Sequence, residues 1–203
     1  MPAIPPLPQR LSDGVVALRF TTERDIPEIL IAYQEDPLLH VRMSHQRPPS
    51  GAELGRALEQ AEPERQTGTR ASLTIIQPPD QDCRGLVSVH TIEWQQGRAE
   101  LGVWVAPRHR GRGIARRALG LTAAWLFEAG RLERLELFTD TDNAAMLCAG
   151  AAAGFVQEGV LRAYRPGPDG RRDMVAMSLL PGDRESPSDP PVREAAHMRE
   201  QAR

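Results

Sequence analysis

The chain contains no lysine; all 25 of its Lys+Arg residues are arginine. That excludes a Schiff-base lysine and the lysine of a nucleotide-binding P-loop. Cysteine is almost as scarce. Cys83 and Cys148 lack metal-ligand spacing and form no disulfide framework, so reduced thiols in a cytoplasmic protein are the simplest reading, and no metal is expected. No apolar run is long enough to cross a bilayer, which points away from a membrane partner. The N-terminal MPAIPPLPQRLSDG has no hydrophobic core for a signal peptide. Neither sign of charge dominates: the formal net charge is −2, which supplies no global field for nucleic acid. At 203 residues the chain can build one domain with a full core.

Against this balance one stretch stands out, AELGVWVAPRHRGRGIARRALGLTAAWLFEAG, residues 99–130. It reads as an apolar strand (Leu101 to Val105), a glycine- and arginine-rich turn (Pro107 to Gly113) and an amphipathic helix from about Ile114 to Ala129. A small-residue loop that feeds a helix N-terminus presents free N–H groups and the positive end of the helix dipole to an anion. Gly111 and Gly113 let backbone approach a phosphate closely. Arg108, Arg110, Arg112, Arg116 and Arg117 add positive charge with no acid among them. The expected guest is a polyanion, the pyrophosphate of a cofactor first.

The rest of the chain supplies a framework. Residues 1–14, with Pro2, Pro5, Pro6 and Pro8, read as a flexible Pro-rich arm. A short strand, Val15 to Phe20, precedes a helix over about 24–34 opened by Thr22 and Asp25. Residues 35–49 form a loop made basic by His40, Arg42, His45 and Arg47. Ser50 and Glu53 make a capping box for a helix to about Gln66. Strands over 70–77, 86–94 and 99–105 form an antiparallel meander, in which alternation places His90 and Trp94 on one face and Glu93 on the other. After the central helix, Leu135 to Thr139 is a crossover strand parallel to 101–105. A helix over 143–153 and a hairpin of 155–163 with 173–180 complete the domain, residues 15–181. Residues 182–203 read as a flexible tail, with a helix conceivable over Val192–Gln201.

This order of elements, with Arg108-His-Arg-Gly111-Arg-Gly113 between strand and helix, resembles the GNAT N-acetyltransferase superfamily and its acetyl-CoA signature. Asn143 with Gly154-Phe155 and Glu158-Gly159 downstream is similar to the RimJ/RimL-like branch. The resemblance implies an α/β (α+β) fold. Its mixed, mostly antiparallel sheet has about seven strands, is splayed between the fourth and fifth (Leu101–Val105 and Leu135–Thr139), and carries helices on both faces. It implies acetyl-CoA as co-substrate and direct transfer of an acetyl group to a primary amine of a protein N-terminus, peptide or small molecule. The amides of about His109 to Ala115 (His109, Arg110, Gly111, Arg112, Gly113, Ile114, Ala115) would hold the pyrophosphate. Arg108 and Arg110 would help to neutralise it, and Arg112, Arg116 or Arg117 would reach the 3′-phosphate. Trp104 and Val105 would give backbone contacts to the pantetheine arm, Asn143 a further cofactor contact, and Glu100 would be the general base. Two positions depart from the family pattern: Met146 stands where the branch carries serine, and Gly150 where the wider superfamily often carries tyrosine. A non-catalytic acyl-CoA-binding module is therefore the alternative. A homodimer is admitted by this reading.

Overall fold

The computed structural model describes residues 2–8, 11–43, 45–167 and 170–184. The tail expected beyond residue 181 and the helix conceived at Val192–Gln201 lie, from residue 185 onward, outside the described residues. Strands are β1 (Leu11–Ser12), β2 (Ala17–Phe20), β3 (Ala71–Ile76), β4 (Gly85–Glu93), β5 (Arg98–Val105), β6 (Arg134–Asp140), β7 (Val156–Gly167) and β8 (Gly170–Leu179). Helices are α1 (Ile26–Glu35), α2 (Leu39–Arg42), α3 (Gly51–Thr67), α4 (Ile114–Glu128) and α5 (Ala144–Ala152). The described strands form one eight-stranded sheet in the order β1-β2-β3-β4-β5-β6-β8-β7. All neighbours are antiparallel except β5 and β6, which α4 joins as a parallel crossover.

The eighth strand, and a second correction, come from the N-terminus. The segment expected as a flexible arm is packed down. Ile4 is buried and its N–H donates to the Arg65 carbonyl at 2.8 Å. The Trp125 indole N–H donates to the Pro6 carbonyl at 3.2 Å, and Leu11 enters the core as part of β1. Apolar side chains spaced between prolines explain this: a pre-stiffened segment loses little entropy on docking.

Strand alternation divides the core. Ala99, Leu101 and Val105 of β5 pack with Ala118, Leu119 and Leu126 of α4, and α5 joins this face through Met146 and Leu147. Burying each such leucine contributes about 1.5–3 kcal/mol. On the opposite face Trp104 packs with Ile29, Ala32 and Tyr33 of α1. One exception corrects the alternation argument. Thr91 has φ 50°, the register shifts between His90 and Glu93, and Ile92 and Trp94 return to the α4 face. His90 and Trp94 thus do not share a face, because the bulge inserts one residue.

The start of α1 is fixed by Asp25, 1% exposed. Its carboxylate accepts from Arg19 at 2.6 and 2.8 Å, from the Thr74 hydroxyl at 2.8 Å and from the Thr22 N–H at 3.0 Å. Burial alone would raise its pKa; the Arg19 guanidinium and the other donors hold it below the ordinary carboxylate value. Asp25→Ala leaves Arg19 without its partner and should lower the urea midpoint at neutral pH by the equivalent of roughly 3 kcal/mol. Because the folded pKa is depressed, this contribution is complete above the unfolded carboxylate pKa of about 3.9 and is lost as pH falls through the folded value. The gap between wild type and variant should therefore close in acid, and a gap that persists unchanged would contradict the assignment.

Candidate active site

The parallel pairing of β5 and β6 is short. Arg98 pairs with Arg134, Ala99 with Leu135 and Glu100 with Glu136, and there the ladder ends. β5 continues to Val105 beside β4, and β6 continues to Asp140 beside β8, so the two strands part with their facing backbone edges unpaired. Such edges need water or a ligand.

The loop that follows β5 is held by its arginines, and the structure sorts them. Arg108 reaches α1, lying 3.0 Å from Glu35 and 3.9 Å from Glu28. Arg110 donates to the Val105 carbonyl at 2.9 Å and to Asp36 at 2.6 Å. Arg117 pairs with Asp13 at 2.7 Å. Among the described residues Arg112 and Arg116 have no such partner and are exposed. The amides divide in the same way. The His109 N–H is used by Ala106 and the Arg110 N–H by Pro107. The first bond of α4 runs from the Arg117 N–H to the Gly113 carbonyl, which leaves Ile114, Ala115 and Arg116 with free N–H groups. Gly111 and Gly113 have φ of 73° and 70°, and a Cβ on either would meet nothing within 4 Å. Glycine is thus required by backbone conformation, and open space lies above the loop. The His109 ring sits 3.3 Å from Arg84; burial and the surrounding arginines push its pKa down.

Trp104 and Val105 have buried side chains on opposite faces, so only their backbone can meet a ligand at the splay. Asn143 caps α5: its Oδ1 accepts from the Met146 N–H at 3.3 Å and its Nδ2 donates to Thr139 at 3.0 Å. Met146 packs on the core. A Cβ at Gly150 would come within 3.1 Å of the Met177 sulfur, so Met177 occupies the room a larger side chain would need. Cys148 is exposed. Glu158 is bound by Arg134 and Ser178, a structural linkage between strands.

Glu100 sits where the splay begins, its side chain 15% exposed. Around it are His90 at 3.7 Å, Arg165 at 3.8 Å and the Thr91 hydroxyl at 3.5 Å. Burial raises its pKa and Glu136 adds to the rise, while Arg165 and Thr91 oppose it. His90 is pushed down to about 4 by burial and by Arg70 and Arg165, so it is neutral at physiological pH. Two bulges supply these neighbours: the one at Thr91, and one in β7 between Leu161 and Arg165, where Ala163 also has a positive φ of 50°. Backbone distortion of this kind concentrates at functional sites. Glu136, Arg165 and the bulges were missed in the sequence; the parallel register that sets Glu136 beside Glu100 has no local signal.

Beside His90 a cavity of about 710 Å³ opens between the sheet and α3, with Tyr33 and Trp104 in its wall. The Tyr33 hydroxyl is buried, which pushes its pKa up to about 12, and lies 3.5 Å from His45.

The family model described as the acetyltransferase (GNAT) domain matches residues 16–156. Over 80 residues the chain is 32% identical to the uncharacterized N-acetyltransferase YoaA of Bacillus subtilis (strain 168), covering 39% of this chain and 45% of that protein. The chain spans about half the length of the curated relatives it matches, between 45% and 64%. Mycobacterium smegmatis RimJ, solved in complex with CoA-disulfide, superposes with a TM-score of 0.74 at 24% identity over 86% of this chain and 85% of that one. The microcin C7 self-immunity acetyltransferase MccE, solved with acetyl-CoA and AMP, gives 0.73 at 19% identity over 84% and 94%. At these identities the two likenesses are of fold. Among the described residues no helix is long and apolar enough to cross a membrane, and no group of three His, Cys, Asp or Glu could hold a metal.

The loop's glycines generate a test that needs no ligand. Gly111→Ala and Gly113→Ala should each cost about 1–2 kcal/mol in urea unfolding, from the left-handed φ and not from a clash. A neutral outcome at both would show that the loop does not need that conformation.

Proposed function

We propose, from the premise that this chain belongs to the acetyltransferase (GNAT) domain family, that it is an acetyl-CoA-dependent N-acetyltransferase of the RimJ/RimL-like kind acting on a primary amine. The observation that carries this is Glu100: a buried carboxylate at the fork of the splay, with bulges in two strands placing Thr91 and Arg165 beside it. The two free cysteines support a reducing, cytoplasmic setting.

The residues present fit acetyl-CoA. The open glycine loop and the free amides from Gly111 to Arg116 suit a pyrophosphate. Arg112 and Arg116 are the cations available to phosphate oxygens; Arg108 and Arg110 serve instead to tie the loop to α1. The free edge of β5 near Trp104 and Val105 would take the pantetheine arm as an added strand, with an amide polarising the thioester carbonyl. Asn143 acts through the α5 cap. Acetyl-CoA supplies an activated acyl carbon: a C–N bond forms to the amine, the C–S bond breaks, and the thiolate leaves with a proton from solvent. Glu100 takes the proton released by the amine nitrogen, directly or through a water. His90, neutral, adds no further positive charge beside the incoming amine.

Thiol release from acetyl-CoA over a panel of N-terminal peptides, lysine peptides and small amines tests the activity; no release with any amine would favour the binding-module alternative. Replacing both Arg112 and Arg116 by Gln should weaken acetyl-CoA binding in calorimetry by about tenfold or more. The same change at Arg108 should act mainly on stability. Equal loss of affinity in both would refute the division of the arginines. The sign of the pH dependence follows from two groups that must both lose a proton. An α-amine titrates at about 7.7–8.0, and burial raises Glu100 above the ordinary carboxylate value. Log kcat/KM should therefore climb with slope two below the lower of the two pKa values and slope one between them. In Glu100→Gln the slope should be one throughout, and a retained slope of two would assign the base elsewhere.

A further inference from the structure

The cavity beside His90, whose lining stops one strand short of Glu100, has features that acetyl transfer alone does not require. α3 contains no buried residue, yet Leu54, Ala57, Leu58 and Ala61 form a stripe at helical spacing that lines the cavity. An apolar stripe with half-exposed side chains over a void of about 710 Å³ has room for an apolar body.

The charges are distributed unevenly. Arg47 is bound to Glu53 through both ends of its guanidinium, and the same carboxylate caps α3 through Ser50, so this pair is closed. Arg42 lies outside the cavity lining. The basic residues of the 35–49 loop are therefore not the cations on offer. Arg70 is: it lines the cavity and has no acid partner among the described residues. Its charge helps, after burial, to depress both His45 and His90, which line the same cavity. The acids of the same lining are Glu53, which is bound by Arg47, and Glu64.

β3 and β4 pair as far as Ala71 with Val89, so Arg70 stands one step on, opposite His90. His90 pairs with Glu100 across β4 and β5, and Glu100 with Glu136 across β5 and β6. Arg70, His90 and Glu100 thus form a row on one level of the sheet, the cation and the carboxylate two strands, or roughly 10 Å, apart at the backbone.

We propose that this cavity is the acceptor site, that the acceptor carries a carboxylate separated from its amine by a short apolar spacer, and that Arg70 binds that carboxylate while the amine sits at Glu100. A dipeptide with a free C-terminus, or an acidic side chain near a peptide N-terminus, has this form. The inference rests on the transferase reading for its amine end only; the anion end is independent of turnover.

The test uses matched probes, alanyl-valine and alanyl-valine amide, with the full chain and acetyl-CoA or CoA. Wild type should favour the free carboxylate in kcat/KM, and in calorimetric affinity with CoA bound, by about tenfold or more. Arg70→Gln should bring that ratio to about one with the Kd for acetyl-CoA unmoved, and Arg70→Lys should restore part of it. Equal use of both probes by wild type, or a ratio unchanged in Arg70→Gln, overturns the proposal. So does the absence of carboxylate-selective binding. Carboxylate-selective binding without turnover would uphold the Arg70 assignment and refute the transferase reading instead.

Discussion

Two neighbouring strands that part after three paired positions impose the constraint on which the rest of this molecule depends. Beyond Glu100 and Glu136 the facing edges of β5 and β6 have no ladder partner. Buried backbone groups left unpaired are costly, typically about 1–3 kcal/mol each. A fold can retain such a gap only if the outer edges of both strands are secured and something polar occupies the fork. The outer edges are secured: β5 pairs with β4 to its last residue, and β6 with β8 from Leu135 to Asp140. α4 then carries the chain from one strand to the other beneath the fork, so its free N-terminus and the gap open together.

The electrostatics follow from that geometry. A loop with many arginines beside an open fork would be self-repelling if all were free. Acids that arrive from far along the chain prevent this: Glu28, Glu35 and Asp36 of the α1 region and Asp13 of the N-terminal segment. They hold Arg108, Arg110 and Arg117 and leave Arg112 and Arg116 to the solvent. The same division of labour recurs at the other end of the site. Arg98, Arg134 and Arg165 surround Glu100, Glu136 and Glu158, yet only Glu100 combines burial with loose, long contacts. Tight bidentate pairing holds Glu158 at a pKa of about 2, whereas Glu100, without it, is raised. One sheet thus contains structural and titratable carboxylates, distinguished by the quality of their partners.

Much of the fold was legible because its signals are local. The meander, the crossover helix, the Ser50–Glu53 capping box and the glycine turn each rest on residues close in sequence, and each has its expected place. The arm was misread because proline content speaks for stiffness and not for freedom, and Ile4 and Leu11 had a core to enter. The His90–Trp94 relation failed because alternation assumes an unbroken ladder, and no residue pattern announces a β-branched threonine at positive φ.

The sequence by itself determined the meander, the crossover helix and the position of the glycine-rich turn before α4, because strand period, helix caps and glycine requirements are properties of short segments, whereas Glu100 was singled out only by the family resemblance. Only the tertiary structure decided which arginines remain free, that Glu100 is buried beside Glu136, and that Arg70 stands level with His90. Those are facts about partners tens of residues away in the chain, and pairing across a sheet is set by register, which is fixed only when the whole core closes.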